Sequence, residues 1–172
     1  MDLTSYEQAR PWAKAIRDEV LSRRMPPWGA VKGIGEFADD PSLSQLEIDI
    51  LVAWVEGGAP EGNAADLPVQ LPAFKTESPA LPRYSKTLTV ADQTTLPHAT
   101  TLVALRPKDL PENGSLEAWA TRPDGSVERL IWLTDFRKAW AHSFKLLNPL
   151  TLPAGSRIRV AAKSGSLTLY CR

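Results

Sequence analysis

The chain has a single cysteine among its 172 residues, Cys171, which lies next to the last residue. One cysteine cannot form an internal disulfide. It also cannot supply the Cys-x-x-Cys-His motif that attaches a haem covalently, because that motif needs two thiols followed by a histidine. We therefore expect no covalently attached haem on this chain, and we expect Cys171 to be a small apolar side chain in a last strand.

The sequence also lacks an excess of charge and a long apolar run. Lys plus Arg and Asp plus Glu both number 20, so the formal net charge is zero. Without a basic excess or a block of like charges, the composition suggests neither a nucleic-acid partner nor a membrane-surface partner. The longest apolar runs are too short to span a bilayer, and no signal peptide is visible in residues 1–25.

The motifs of common enzyme classes are missing as well. There is no Gly-rich phosphate loop, no Gly-x-Ser-x-Gly and no His-Glu-x-x-His. The two histidines, His98 and His142, lie far apart in the sequence, and nothing local predicts that they share a metal. Asp39 and Asp40 could accept a cation or lead into the next helix as a solvated turn. The sequence therefore favours a protein without catalytic activity.

A helical pattern dominates the chain up to about residue 60. Ser5 and Gln8 have the spacing of a capping box, and Pro11 can occupy the first turn of a new helical segment. Apolar side chains then recur every three or four residues. These side chains are Trp12, Ala15, Ile16 and Val20.

A second helix is predicted by the capping-box spacing of Ser44 and Glu47, and it ends at Gly57 and Gly58. One of its faces is apolar, so the two helices can bury their apolar stripes against each other. The residues of this face are Ile48, Leu51, Val52 and Val55.

The periodicity changes to two after a proline-rich stretch, which predicts β-strands. The predicted strands are 86–91, 101–105, 116–121, 127–133, 143–147 and 158–162. Turn residues at 123–126 predict a hairpin between two of them. The expected fold is α+β, with a helical segment at 1–66, a Pro-rich linker at 67–83 and an antiparallel β-sandwich at 84–172.

Four motifs in the helical segment occur in one order, at 4–16, 24–28, 43–45 and 53–62. In this order they resemble the later part of a bacterial exported monohaem cytochrome c domain. The resemblance implies a periplasmic or other extracytoplasmic location and a redox protein as partner. It also implies that haem c belongs to a longer parent protein, with the attachment motif upstream of the residues present here.

Met25 is the candidate ligand in the Met-Pro-Pro-Trp loop of this segment. Its soft sulfur can ligate iron while the prolines hold the loop still, and the resemblance implies that Met25 is the distal iron ligand. Trp12, Trp28 and Trp54 could then form a wall of the haem pocket. The alternative is that Met25 simply packs in its loop and that the tryptophans are ordinary core residues.

The β region resembles the jelly-roll domain of copper type II ascorbate-dependent monooxygenases. The matching residues lie at 106–107, 119–120, 123–125, 130–132, 135, 140, 149 and 152–155. In those relatives an Arg-Pro pair is followed by a His-x-His pair, which binds copper. Lys108 and Leu110 stand at those places here, and neither can replace an imidazole, so we expect no copper site.

Two functions of different classes remain open from the sequence. The first is a non-catalytic binding or accessory module related to an exported c-type cytochrome, without a haem attachment of its own. The second is an electron carrier whose haem-binding part lies upstream of this chain, with Met25 as the distal iron ligand.

Overall fold

A computed structural model of the chain describes residues 3–66 and 80–172. The fold is α+β: two N-terminal helices precede two packed, four-stranded antiparallel sheets that form a β-sandwich, which confirms the predicted class. The chain divides into two compact units, a helical unit of Met1–Pro27 with Pro41–Ser78 and a sandwich unit of Trp28–Asp40 with Pro79–Arg172. Most of the predicted linker 67–83 lies outside the described residues.

The first helical region of the helical unit is divided into three short pieces. Helix α1 spans Tyr6–Ala9, a 3₁₀ turn spans Arg10–Trp12, and helix α2 spans Ala13–Leu21. The Ser5 hydroxyl accepts a hydrogen bond from the backbone N–H of Gln8 at 3.4 Å, so the predicted cap is present. Proline is present in the first turn of the 3₁₀ piece, as the sequence predicts.

Helix α3 spans Gln45–Glu56 and packs against α2. Its capping box is complete: the Ser44 hydroxyl accepts from the Glu47 N–H at 3.3 Å, and the Glu47 carboxylate accepts from the Ser44 N–H at 2.7 Å. The helix ends at Gly57, as predicted.

The apolar stripe predicted for the first helix is only partly correct. Ala13 and Val20 are buried and Ile16 is half-buried, whereas Trp12 and Ala15 are exposed. Trp12 lies in the 3₁₀ turn, which has three residues per turn instead of 3.6. Its side chain therefore does not fall on the buried face of α2.

The described part of the sandwich unit contains eight strands in two sheets. One sheet has the order β1-β8-β3-β6 and the other the order β2-β7-β4-β5. The strands are β1 Lys86–Val90, β2 Gln93–Thr95, β3 Thr100–Lys108, β4 Leu116–Thr121, β5 Val127–Leu133, β6 Phe144–Leu152, β7 Arg157–Ala162 and β8 Ser166–Cys171. Each predicted strand overlaps an observed one. The sequence does not predict strand β2, and it indicates β8 only at Cys171.

The segment Trp28–Asp40 belongs to the sandwich unit, although in the sequence it lies between the two helices. It runs along two edge strands, one from each sheet: the Val31 N–H donates to the Trp132 carbonyl at 2.8 Å on β5, and the Ala38 N–H donates to the Lys145 carbonyl at 3.0 Å on β6. Its buried side chains join the core between the sheets. The boundaries 1–66 and 84–172 expected from the sequence do not place this segment with the strands.

Candidate functional site

Met25 lies in the loop that follows α2, and its side chain is 47% exposed. A hydrogen bond connects the loop to α2: the backbone carbonyl of Glu19 accepts from the Met25 N–H at 3.3 Å. The carboxylate of Glu19 receives two hydrogen bonds from the Arg24 guanidinium, at 2.9 and 2.8 Å. These bonds hold the loop, in which Met25 is about half exposed.

Other large apolar side chains of the helical unit are also exposed. Leu46 and Ile50, one helical turn apart on α3, are 69% and 59% exposed, and Trp12 is 49% exposed. Trp54 continues this line on α3 but is half-buried, and its indole N–H donates to the Pro60 carbonyl at 2.9 Å. We name Trp12, Met25, Leu46 and Ile50 the apolar helical residues.

The residues of the helical unit fit a haem in part. An exposed thioether and exposed apolar side chains are what one axial side of a haem needs. No histidine or cysteine occurs in the sequence of this unit, because His98, His142 and Cys171 all belong to the sandwich unit. The attachment thiols and the opposite axial ligand would therefore have to come from another segment or another chain.

Trp28, which the sequence associates with a haem pocket, lies in the sandwich core and is buried. Its ring packs edge-on against Phe37 and Phe144, with centroids 6.0 and 4.9 Å away, and tilted against His142 at 4.8 Å. Trp28 and Met25 belong to different compact units. A role for Trp28 beside a haem stays a prediction. The structure shows only the packing of Trp28 in the sandwich core.

His142 is held in one tautomer by its neighbours. Its Nδ1 lies 2.6 Å from the Trp140 carbonyl, which can only accept, so Nδ1 carries the proton. Burial lowers the pKa of His142, and the charge of Arg106 lowers it further, against the opposing effect of the bond to Trp140. Among the described residues, Nε2 is buried without a hydrogen-bond partner. The lowered pKa favours the neutral imidazole in the folded protein.

The other residues considered from the sequence lie apart from any ligand cluster. Among residues 3–66 and 80–172, no group of three or more His, Cys, Asp or Glu could hold a metal. Lys108 is exposed at the end of β3 and Leu110 is buried in the core, so the two residues that the sequence resemblance associates with copper ligands lie in different environments. Asp40 approaches the Lys32 ammonium at 3.8 Å, and His98 is exposed.

A cleft of about 390 Å³ opens where the segment Trp28–Asp40 runs beside β5 and β6. Its lining combines charged and amide side chains with apolar ones and two glycines. The lining residues are Gly33, Gly35, Glu36, Glu128, Arg129, Leu130, Leu146, Asn148, Pro149 and Leu150. The sequence does not indicate this cleft, because the cleft depends on the long-range pairing of a loop with two edge strands.

Comparison of the sequence with protein-family models found no match, and neither did comparison with curated proteins. Within the part of the chain that the structure describes, no helix is long and apolar enough to cross a membrane.

Proposed function

We propose that this chain is a non-catalytic binding or accessory module related to an exported c-type cytochrome. In this proposal, the helical unit is cytochrome c-like and docks a haem-bearing segment through the apolar helical residues. The observation that carries the proposal is that Met25 and several other large apolar side chains of this small unit are exposed. A large exposed apolar surface is typical of a binding surface.

The proposal extends to the sandwich unit, which we infer to be a jelly roll. The strand orders β1-β8-β3-β6 and β2-β7-β4-β5 support this inference, because an eight-stranded jelly roll interleaves its strands between two four-stranded sheets in this way. Loss of the paired histidines at Lys108 and Leu110 leaves such a module without the copper chemistry of the relatives that it resembles.

The docking proposal is tested by titrating the full chain with a short haem peptide that carries its own Cys-x-x-Cys-His motif. Calorimetry should give one site. A double variant, Leu46→Ser with Ile50→Ser, should weaken binding by roughly ten- to a hundredfold. Each substitution removes a large aliphatic side chain that the bound peptide would cover. Val127→Ser is the matched control, because Val127 is 60% exposed but lies on β5 of the sandwich. Equal binding by the double variant and the control would contradict the proposal.

A second candidate function is that of an electron carrier, in which Met25 is the distal iron ligand and the haem-binding part lies upstream of this chain. The exposure of Met25 favours this candidate over burial of its side chain in the loop. Met25 is also the only methionine besides Met1. A haem held there would supply one-electron transfer, and the role of Met25 would be to donate its sulfur and stabilise the reduced state.

The two candidates differ in the reduction potential of the haem-peptide complex. A thioether ligand raises the potential of a haem, so an electron carrier of this design loses potential when Met25→Leu removes the sulfur but keeps an apolar side chain. If the peptide binds and its potential is the same with either residue, the module docks a haem segment without ligating it, and the electron-carrier candidate fails.

A further inference from the structure

The outer face of the sheet β2-β7-β4-β5 is the surface to which the functions proposed above assign no role. On β4, Leu116, Ala118 and Ala120 are fully buried, so Glu117 and Trp119, between them, point outward. The same alternation buries Ile158 and Val160 on β7 and turns the intervening residues outward. The outward positions of these strands are rich in arginine and tryptophan.

The register of the sheet brings these outward residues into rows. Directly paired residues on antiparallel strands point to the same face, so each row crosses the sheet on one side. The first row is Gln93, Arg159, Trp119 and Arg129. The second row is Thr95, Arg157, Thr121 and Val127. A third, shorter row is Ala161, Glu117 and Trp132.

Arg159 and Arg129 therefore flank Trp119 from its two neighbouring strands, at strand spacings of about 4.8 Å. The guanidinium carbon of Arg159 lies 5.8 Å from the centroid of the Trp119 ring, a cation–π contact that orients the guanidinium. Arg157 lies two residues along the same strand, on the same side. We name Gln93, Arg129, Arg157, Arg159, Trp119 and Trp132 the arginine–tryptophan face.

The three arginines of this face are exposed, and none forms an ion pair within the described parts of the chain. The sandwich unit as a whole contains 14 Lys and Arg against 10 Asp and Glu, a net charge of +4, although the complete chain is neutral. Unpaired guanidinium groups on one open sheet face attract an anion, and their planar forks match carboxylates in a bidentate geometry.

We propose that the arginine–tryptophan face binds a carboxylated polysaccharide, a glycan chain that contains uronic acid residues. Arg129, Arg157 and Arg159 contact the carboxylates of the glycan. Trp132, which is 38% exposed, stacks on the apolar face of a sugar ring. Trp119, already covered by Arg159, positions that guanidinium rather than stacking on the ligand.

The acidic side chain on this face favours a glycan over a nucleic acid. Glu117 pairs with Trp132 across the β4–β5 ladder, next to the arginine rows. Its carboxylate can accept hydrogen bonds from sugar hydroxyls, which a glycan offers in abundance. The sugar–phosphate backbone of a DNA strand has no free hydroxyl groups along its length, so it has no such donor for the Glu117 carboxylate. The amide of Gln93 adds a further donor and acceptor for hydroxyl groups.

The proposal is tested with the full chain and three polymers: polygalacturonate, neutral dextran and oligothymidylate. Affinity electrophoresis or calorimetry should show binding to polygalacturonate and none to dextran. Arg129→Gln and Arg159→Gln should each weaken that binding by roughly tenfold, since each removes a charge-assisted hydrogen bond. Trp132→Ala should weaken it severalfold. Arg106→Gln is the matched control, because Arg106 is an exposed strand arginine on the other sheet, and it should leave binding unchanged.

Each other outcome overturns the proposal. Failure of the folded wild-type protein to bind polygalacturonate, or equal loss in Arg106→Gln and Arg159→Gln, would show that the face is not a glycan site. Equal binding of dextran would exclude recognition of the carboxylates. Tighter binding of oligothymidylate that is lost in Arg129→Gln would assign the face to single-stranded nucleic acid instead.

Discussion

The ring of Trp28 packs edge-on against the ring of Phe144, with centroids 4.9 Å apart and planes inclined at 72°. The first residue follows the Pro-Pro pair of the Met25 loop, and the second begins strand β6. This pairing anchors the segment Trp28–Asp40 in the core of the sandwich. The segment is therefore part of the packing that stabilises the sandwich unit.

Trp28→Ala should lower the free energy of unfolding of the sandwich unit by about 3–5 kcal/mol, because it removes a large buried aromatic side chain and leaves a cavity. Denaturant unfolding followed by circular dichroism measures the change. Trp132→Ala, at an exposed tryptophan of the same unit, is the control and should cost much less. Similar costs for the two variants would show that Trp28 does not anchor the segment.

Gly35 approaches the backbone of β5 so closely that a Cβ on it would collide with the Leu130 carbonyl oxygen. Gly33, two residues earlier, also has a positive φ, but a Cβ there meets no atom within 4 Å. Gly33→Ala should therefore cost only the strain of the left-handed backbone, about 1–2 kcal/mol. Gly35→Ala should cost about 1–3 kcal/mol more, because it also overpacks the contact with β5.

Thermal or denaturant unfolding of the two glycine variants under the same conditions measures this difference. If Gly35→Ala is no less stable than Gly33→Ala, the segment does not lie against Leu130 as the structure has it.

The sandwich should lose stability as the pH falls below about 6.5, the ordinary pKa of histidine. Burial lowers the pKa of His142 in the folded protein, so the unfolded chain binds a proton at a higher pH than the folded chain does. The loss should begin near that ordinary value and continue until the pH reaches the lowered pKa of the folded state. Unfolding free energies measured between about pH 7.5 and 5.5 follow it.

His142→Phe should flatten this dependence, because phenylalanine keeps an aromatic ring beside Trp28 and has no proton to gain. A slope that persists in His142→Phe would assign the titration to another group.

Cys171 should resist thiol reagents in the folded protein. Its side chain is fully buried at the end of β8, and burial raises the pKa of the thiol, partly opposed by the charge of Lys86. The thiolate is the reactive form of cysteine. The raised pKa keeps the thiol protonated and burial blocks access of the reagent, so both protect Cys171. Labelling should therefore follow global unfolding in a denaturant series. Rapid stoichiometric labelling without denaturant would show that β8 opens independently.

Local patterns of the sequence predict the helices of this fold well. The caps at Ser5 and Ser44 and the stop at Gly57 depend on residues only a few positions apart, so their chemistry can be recognised without tertiary information. Alternation likewise predicts most strands of the sandwich. Strand β2 has only three residues, Gln93–Thr95, too few to show a period.

The parts that were not predicted depend on contacts between distant residues. Nothing local to Trp28–Asp40 indicates that it pairs with β5 and β6, and the neighbouring Met25 motif associates it with the helices. The neutral composition gives no indication of the arginine–tryptophan face, because its arginines lie on separate strands and are brought together only by the register of the sheet. The local pattern that indicates this face is the alternation of Arg157 and Arg159 with buried residues.

Calorimetric titration of the full chain with the haem peptide tests the central claim, that the helical unit docks a haem-bearing segment through the apolar helical residues. The account predicts a single site in the wild-type chain and binding weaker by roughly ten- to a hundredfold in the double variant Leu46→Ser with Ile50→Ser. No binding by the folded wild-type chain, or equal binding by the double variant, would contradict the account.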